Sequence, residues 1–118
     1  MKVLTKAEEQ VMKSVWKIGN GLLMEIVESM PKPQPHKNTV ATILKTLITK
    51  GFITIQPEGR YHRYIPLIKM EEYSKASLTK LAKGYFNGSF SNVVSFLVEE
   101  EKLSVTDLEA LLKNLKKK

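Results

Sequence analysis

Asn38, Thr42, Lys45, Thr46 and Thr49 fall at helical spacing, so within one helix they share a face, with Lys37 and Thr39 at its start. Their chemistry suits the edges of base pairs. Asn pairs with adenine, Thr offers a hydroxyl or touches a thymine methyl, and Lys reaches guanine or phosphate. Helices enter the major groove with their N-terminal turns nearest the bases, so Asn38, Thr39 and Thr42 are expected at base edges. Lys45 is expected on a base or a phosphate, and Lys37 and Thr46 complete the face. Further on, Arg60 follows a glycine in a turn sequence, with His62 and Arg63 close behind. Arg60 is expected along the sugar-phosphate backbone or in the minor groove, with His62 and Arg63 as phosphate neighbours.

Catalytic and metal chemistry have no comparable support. Cysteine is absent, which removes thiolate ligands, disulfides and thiol nucleophiles. His36 and His62 are the only histidines and have no pair of carboxylates nearby in sequence to build a metal set or a triad. Glu99, Glu100 and Glu101 are consecutive, so on a helix they point in different directions and read as a solvated run. No cofactor, no metal and no enzymatic activity are expected.

The charge balance favours an anionic partner. The 118 residues contain 19 Lys plus Arg against 12 Asp plus Glu, a net charge of +7. Between Lys32 and Arg63 stand six basic residues (Lys32, Lys37, Lys45, Lys50, Arg60, Arg63) and one acid, Glu58. The stretch that holds the base-reading face therefore carries most of the positive field. The terminal Lys116-Lys117-Lys118 reads as a solvated helix end that complements the C-terminal dipole. No apolar run has the ~18 residues of a membrane span, and the N-terminal Met1-Lys2-Val3-Leu4-Thr5-Lys6 has no signal-peptide core. A cytoplasmic location without membrane insertion is expected.

The elements that must position these residues are marked by caps and breakers. Thr5-x-x-Glu8 is a capping box, and Leu4, Ala7, Val11, Val15 and Ile18 set a first helix over 5–18 that stops at Gly19-Asn20-Gly21. Trp16 lies beside this stripe and is expected in the core. Leu22, Leu23, Ile26, Val27 and Met30 make a short second helix, ended by Pro31, Pro33 and Pro35. A third helix starts with Pro35 in its first turn, carries Val40, Ile43, Leu44, Leu47 and Ile48 inward, and ends at Lys50-Gly51. Residues 52–56 and 61–65 are β-rich and joined through Pro57-Glu58-Gly59-Arg60, which predicts a two-stranded hairpin.

Three helices followed by a hairpin is the order of a winged helix-turn-helix over 1–68. Residues 69–118 return to helical patterns. Tyr73, Ala76, Leu81 and Tyr85 precede the Asn87-Gly88 break, and Phe90, Val93, Val94, Leu97 and Val98 follow it. A last helix begins at Ser104 or Thr106. So small a helical segment cannot bury its own apolar faces, which predicts a homodimer through Phe90, Val94, Leu97, Leu108, Leu111, Leu112 and Leu115, the alternative being an intrachain lid over the winged domain. The fold class is mainly α with a small β-hairpin wing, plus a C-terminal helical dimerisation module.

Several stretches together carry a family resemblance: residues 4–12 with Trp16, Thr39-Val40-Ala41-Thr42-Ile43-Leu44, Lys50-Gly51-Phe52-Ile53, and 59–66. Glu71-Glu72-Tyr73, Gly88-Ser89-Phe90 and Leu103-Ser104 extend the match along the chain. In order and spacing they resemble the BlaI/MecI/CopY family of bacterial repressors. The resemblance implies a homodimer that binds a dyad operator in double-stranded DNA and blocks transcription, often of antibiotic-resistance or stress genes. It also implies, from the β-lactam branch, a membrane sensor metalloprotease pathway that cuts the repressor in its dimerisation region. The matching position is Phe96-Leu97, where the β-lactam repressors have an Asn-Phe pair. The copper branch's cysteine-rich induction motif is excluded here. Two other readings of the residues remain: a winged-helix module docking an acidic protein, and a regulator gated by a small molecule.

Overall fold

A computed structural model describes residues 2–116, with the side chains of residues 111 and 114–116 outside the description. The expectations for Leu111, Leu115 and the Lys116-Lys117-Lys118 end therefore lie outside the described residues. The chain divides into two compact units, residues 1–74 and 75–118.

The first unit opens with α1 (Lys6–Ile18). Thr5 caps it: its hydroxyl accepts the Glu8 N–H at 3.2 Å, and the Glu8 carboxylate accepts the Thr5 N–H at 2.8 Å. Gly19 ends it with φ +87, donating its N–H to the Val15 carbonyl at 2.9 Å. Side chains with a Cβ rarely adopt that conformation. Next come β1 (Gly21–Leu22), α2 (Leu23–Ser29), α3 (Lys37–Thr49), β2 (Ile53–Glu58) and β3 (Tyr61–Pro66).

Three expectations need correction. The sheet has three strands in the order β1-β3-β2, because Gly21 and Leu22 leave the start of the second helix to pair with Tyr64 and Arg63. The hairpin connection is only Gly59-Arg60, since β2 runs through Pro57 and Glu58 faces Tyr61. Pro57 is tolerated because β2 is an edge strand. It also faces His62 one pair out from the turn, where its nitrogen points away from the partner strand. With φ +61 at Gly59 as the first loop residue, the turn has the glycine-first pattern of type II′. Finally, α3 starts after Pro35, not with it: His36 is the N-cap, and its Nδ1 accepts the Asn38 N–H at 3.0 Å.

One core joins α1, α2, α3 and the base of the hairpin. Val11, Met12 and Val15 meet Ile26, then Val40, Leu44 and Leu47, then Phe52 and Ile53, all 0–1% exposed. Each such side chain contributes about 1.5–3 kcal/mol relative to exposure. Trp16 is half-buried and donates its indole N–H to the Ile68 carbonyl at 2.8 Å. Tyr73 in the first turn of α4 (Met70–Tyr85) packs tilted at 5.8 Å against Trp16 and edge-on at 5.7 Å against Phe52, and its hydroxyl donates to Glu9 Oε2 at 2.6 Å. These contacts carry the first unit to residue 74, past the expected boundary at 68.

The second unit holds the rest of α4, α5 (Phe90–Glu99) and α6 (Val105–Lys116). Ser89 caps α5, accepting the Asn92 N–H at 3.1 Å. Ser104 caps α6 through a reciprocal pair with Asp107, at 3.0 and 3.2 Å, so Ser104 and not Thr106 marks the start. Only Ala82 and Val93 are buried hydrophobics among this unit's described residues. Phe86 and Phe96 meet edge-on at 5.6 Å. No described helix is long and apolar enough to cross a membrane.

Candidate nucleic-acid interface

The inward stripe of α3 fixes its outward face. Val40, Leu44 and Leu47 are buried, so Lys37, Asn38, Thr39, Thr42, Lys45 and Thr46 are all exposed along the opposite side. The threonines have a constraint that their positions alone did not reveal. Thr42 Oγ1 donates to the Asn38 carbonyl at 3.0 Å and Thr46 Oγ1 to the Thr42 carbonyl at 3.3 Å. With their protons turned back on the helix, they present a methyl group and oxygen lone pairs, not donors.

Arg60 stands exposed at the hairpin tip, beside Tyr61, which is 64% exposed. An aromatic residue directly after a Gly-Arg turn is the sequence signal for this exposed ring. His62 is exposed too, but it lies on the opposite face of the sheet from Arg63 because successive strand residues alternate.

Arg63 is engaged within the fold. Its Nε donates to Glu58 Oε2 at 2.6 Å and its NH2 to Glu58 Oε1 at 3.3 Å, while NH1 donates to Asn20 Oδ1 at 2.9 Å. Glu25 Oε1 lies 3.8 Å away. The hydrogen bond from Arg63 holds the Glu58 carboxyl below its usual range, and Glu58 in turn raises the guanidinium. Two carboxylates around one guanidinium leave this spot net negative, which disfavours a phosphate. The expectation of a phosphate contact at Arg63 thus meets an arginine that ties β3 to β2 and to the turn after α1.

Lys50, part of the same basic stretch, is also paired. Its Nζ donates to Glu8 Oε1 at 2.6 Å and to the Val3 carbonyl at 3.1 Å. Glu8 is 7% exposed, and its carboxyl is held below the usual range chiefly by the Lys50 hydrogen bond, then by the Thr5 N–H. Lys37, Lys45 and Arg60 have no ion-pair partner among the described residues. The same described residues contain no cluster of three His, Cys, Asp or Glu fit to hold a metal.

An exposed polar helix face, followed by a hairpin with a free arginine at its tip, is the layout of a winged-helix DNA reader. The family described as Penicillinase repressor matches residues 4–117. The chain belongs to that family. Among its relatives, the penicillinase repressor of Bacillus licheniformis is 28% identical over 109 residues, covering 92% of this chain and 85% of that protein. The methicillin resistance regulatory protein MecI of Staphylococcus aureus is 25% identical over 116 residues, covering 98% of this chain and 94% of that protein. The solution structure of the DNA-binding domain of the repressor BlaI aligns with a TM-score of 0.53 and 32% identity, covering 62% of this chain and 94% of that domain. This penicillinase-repressor family member is therefore a DNA-binding transcriptional repressor with a winged-helix fold, and not an enzyme.

Proposed function

We propose that the repressor acts as a homodimer on a dyad operator, each α3 lying in one major groove and each hairpin along the neighbouring backbone. Half-sites would be about one DNA turn apart, roughly 34 Å. Asn38, Thr39 and Thr42 read base edges, with Thr42 acting through its methyl group or as an acceptor. Lys37, Lys45 and Thr46 hold phosphates or a guanine beside them, and Arg60, with Tyr61 and His62 near, anchors the hairpin. The observation that carries this reading is the coincidence of the exposed α3 face with the unpaired cations Lys37, Lys45 and Arg60.

The second unit supplies the pairing. Phe90, Phe96 and Leu112 are 48%, 47% and 57% exposed, and Val94, Leu97 and Leu108 are half-buried, which leaves apolar faces for a second copy. Loss of that pairing would release DNA, because one half-site forfeits the avidity of two. Cleavage at Phe96-Leu97 through a membrane sensor metalloprotease pathway is one such route. That bond lies inside α5, and Phe96 accepts the Glu100 N–H at 2.9 Å, so the helix end must open before a protease reaches it. The site of action is the cytoplasm.

The test is a salt-titrated binding assay against the repressor's own promoter and random DNA of equal length, with mass measured by sedimentation. Promoter-selective binding by a dimer is the expected result. Equal, steeply salt-dependent binding to both DNAs, or binding by a monomer, would overturn the reading of a dimer on a dyad operator.

A further inference from the structure

Away from the exposed face of α3, the first unit contains a cleft of about 500 Å³ between α1 and the connector that follows α2. Small-molecule sites span about 300–1,000 Å³. From α1 it is lined by Gln10, Lys13, Ser14 and Lys17, at spacings that put all four on one side of the helix, and from the connector by Ser29 and Lys32 with the residues around them. Three lysines thus border one space, and none has an ion-pair partner among the described residues. No carboxylate lines the cleft. The contrast with Lys50 and Arg63, each neutralised inside the same unit, is direct.

Ser14 is the second observation. It is only 4% exposed, yet its hydroxyl makes no hydrogen bond among the described residues. No sealed polar side-chain atom is left without a partner among those residues, so the Ser14 hydroxyl is reached through the cleft it lines. A nearly buried hydroxyl without a partner, in the lining of a cleft bordered by three lysines, matches an oxygen-rich anion. The end of α2 nearby would repel such an anion through its free carbonyls. Gln34 offsets this: its Nε2 donates to the Glu28 and Met30 carbonyls at 3.1 and 3.3 Å.

We infer that this cleft binds a small multivalent anion of the phosphate or polyphosphate class. Lys13, Lys17 and Lys32 supply charge, and the Ser14 hydroxyl donates to one oxygen.

Inorganic pyrophosphate titrated into the full chain tests this, followed by calorimetry and by amide NMR shifts at constant ionic strength with chloride as control. The expected result is saturable binding with shifts confined to residues 10–17 and 29–34. Binding should weaken at least about tenfold in Lys13→Gln/Lys17→Gln, with Ser14→Ala weaker by a smaller factor. Both lysines are exposed, so the double variant keeps its melting temperature. Non-saturating shifts spread over many lysines, or binding that ignores the double variant, would overturn the inference. The same variant in duplex binding separates the two sources of phosphate. An unchanged salt slope assigns the cleft to a free anion, whereas a lower slope without pyrophosphate binding makes it a seat for DNA backbone and rejects a small-anion site.

Discussion

Replacing Arg60 and Arg63 separately by Gln should have unequal effects on DNA binding, although the two are three residues apart on one hairpin. Each phosphate neutralised on duplex DNA contributes about −0.9 to the slope of log affinity against log salt. Lys37, Lys45 and Arg60 have no ion-pair partner among the described residues, so the proposed dimer would engage about six phosphates with a slope near −5. Raising salt from 50 to 200 mM then lowers affinity by about 2,000-fold. Arg60→Gln removes one contact per protomer, moving the slope up by about 1.8 and reducing that salt effect to about 150-fold. Arg63→Gln should leave the slope within about 0.3 of the parent, because its guanidinium already serves Glu58 and Asn20 and is flanked by Glu25. Its effect appears instead as faster hydrogen exchange in residues 53–66, since β3 loses its tie to the turn after α1. Fluorescence anisotropy at four or five salt concentrations gives the slopes, and sedimentation gives protomers per duplex. An Arg63→Gln slope that rises as much as that of Arg60→Gln, with the hairpin still ordered, would refute the assignment of Arg63 to the fold.

Lys50→Met should destabilise the protein at neutral pH by about 1–3 kcal/mol, because the nearly buried Glu8 carboxylate loses its cation. The Glu8 carboxyl is held below its ordinary value of 4.5, so the pair's contribution is present above that pH and fades as pH falls through the lower folded value. Urea titrations from pH 3 to 7 should find parent and variant converging in acid, and a constant gap would contradict the pairing. Thr42→Ala should cost about 0.8 kcal/mol on a site with thymine at the contacted position, and Thr42→Val very little. Substituting deoxyuridine for that thymine should abolish the difference; losses that simply add would show that Thr42 does not touch the methyl. Phe90→Asp with Leu112→Asp should give a helical monomer by sedimentation and circular dichroism, with duplex affinity down at least about 100-fold. A persistent dimer would move the interface elsewhere.

Local signals made most of the helices legible. The Thr5/Glu8 and Ser104/Asp107 boxes, the glycine after α1 and the prolines after α2 act within a few residues, so their meaning survives without knowledge of the rest of the chain. The inward stripe of α3 likewise set which residues face out, because helical periodicity is a property of neighbours. Free and engaged cations, by contrast, look identical in sequence. Lys45 and Lys50 sit five residues apart, yet only Lys50 meets a carboxylate, 42 residues away. Arg63 NH1 reaches Asn20 across 43 residues.

The strand β1 has the same origin. Two residues, Gly21 and Leu22, carry no strand pattern of their own; they become one because β3 presents an unpaired edge to them. The Lys13, Lys17 and Lys32 cleft also needs the fold, since helix α1 and the connector after α2 converge only once the core has packed. Spacing along the chain alone was thus enough to set the helices, the hairpin and the exposed face of α3. Which charges remain available to an anion was decided by the tertiary structure, because neutralisation depends on distances of a few ångströms between residues that sequence holds far apart.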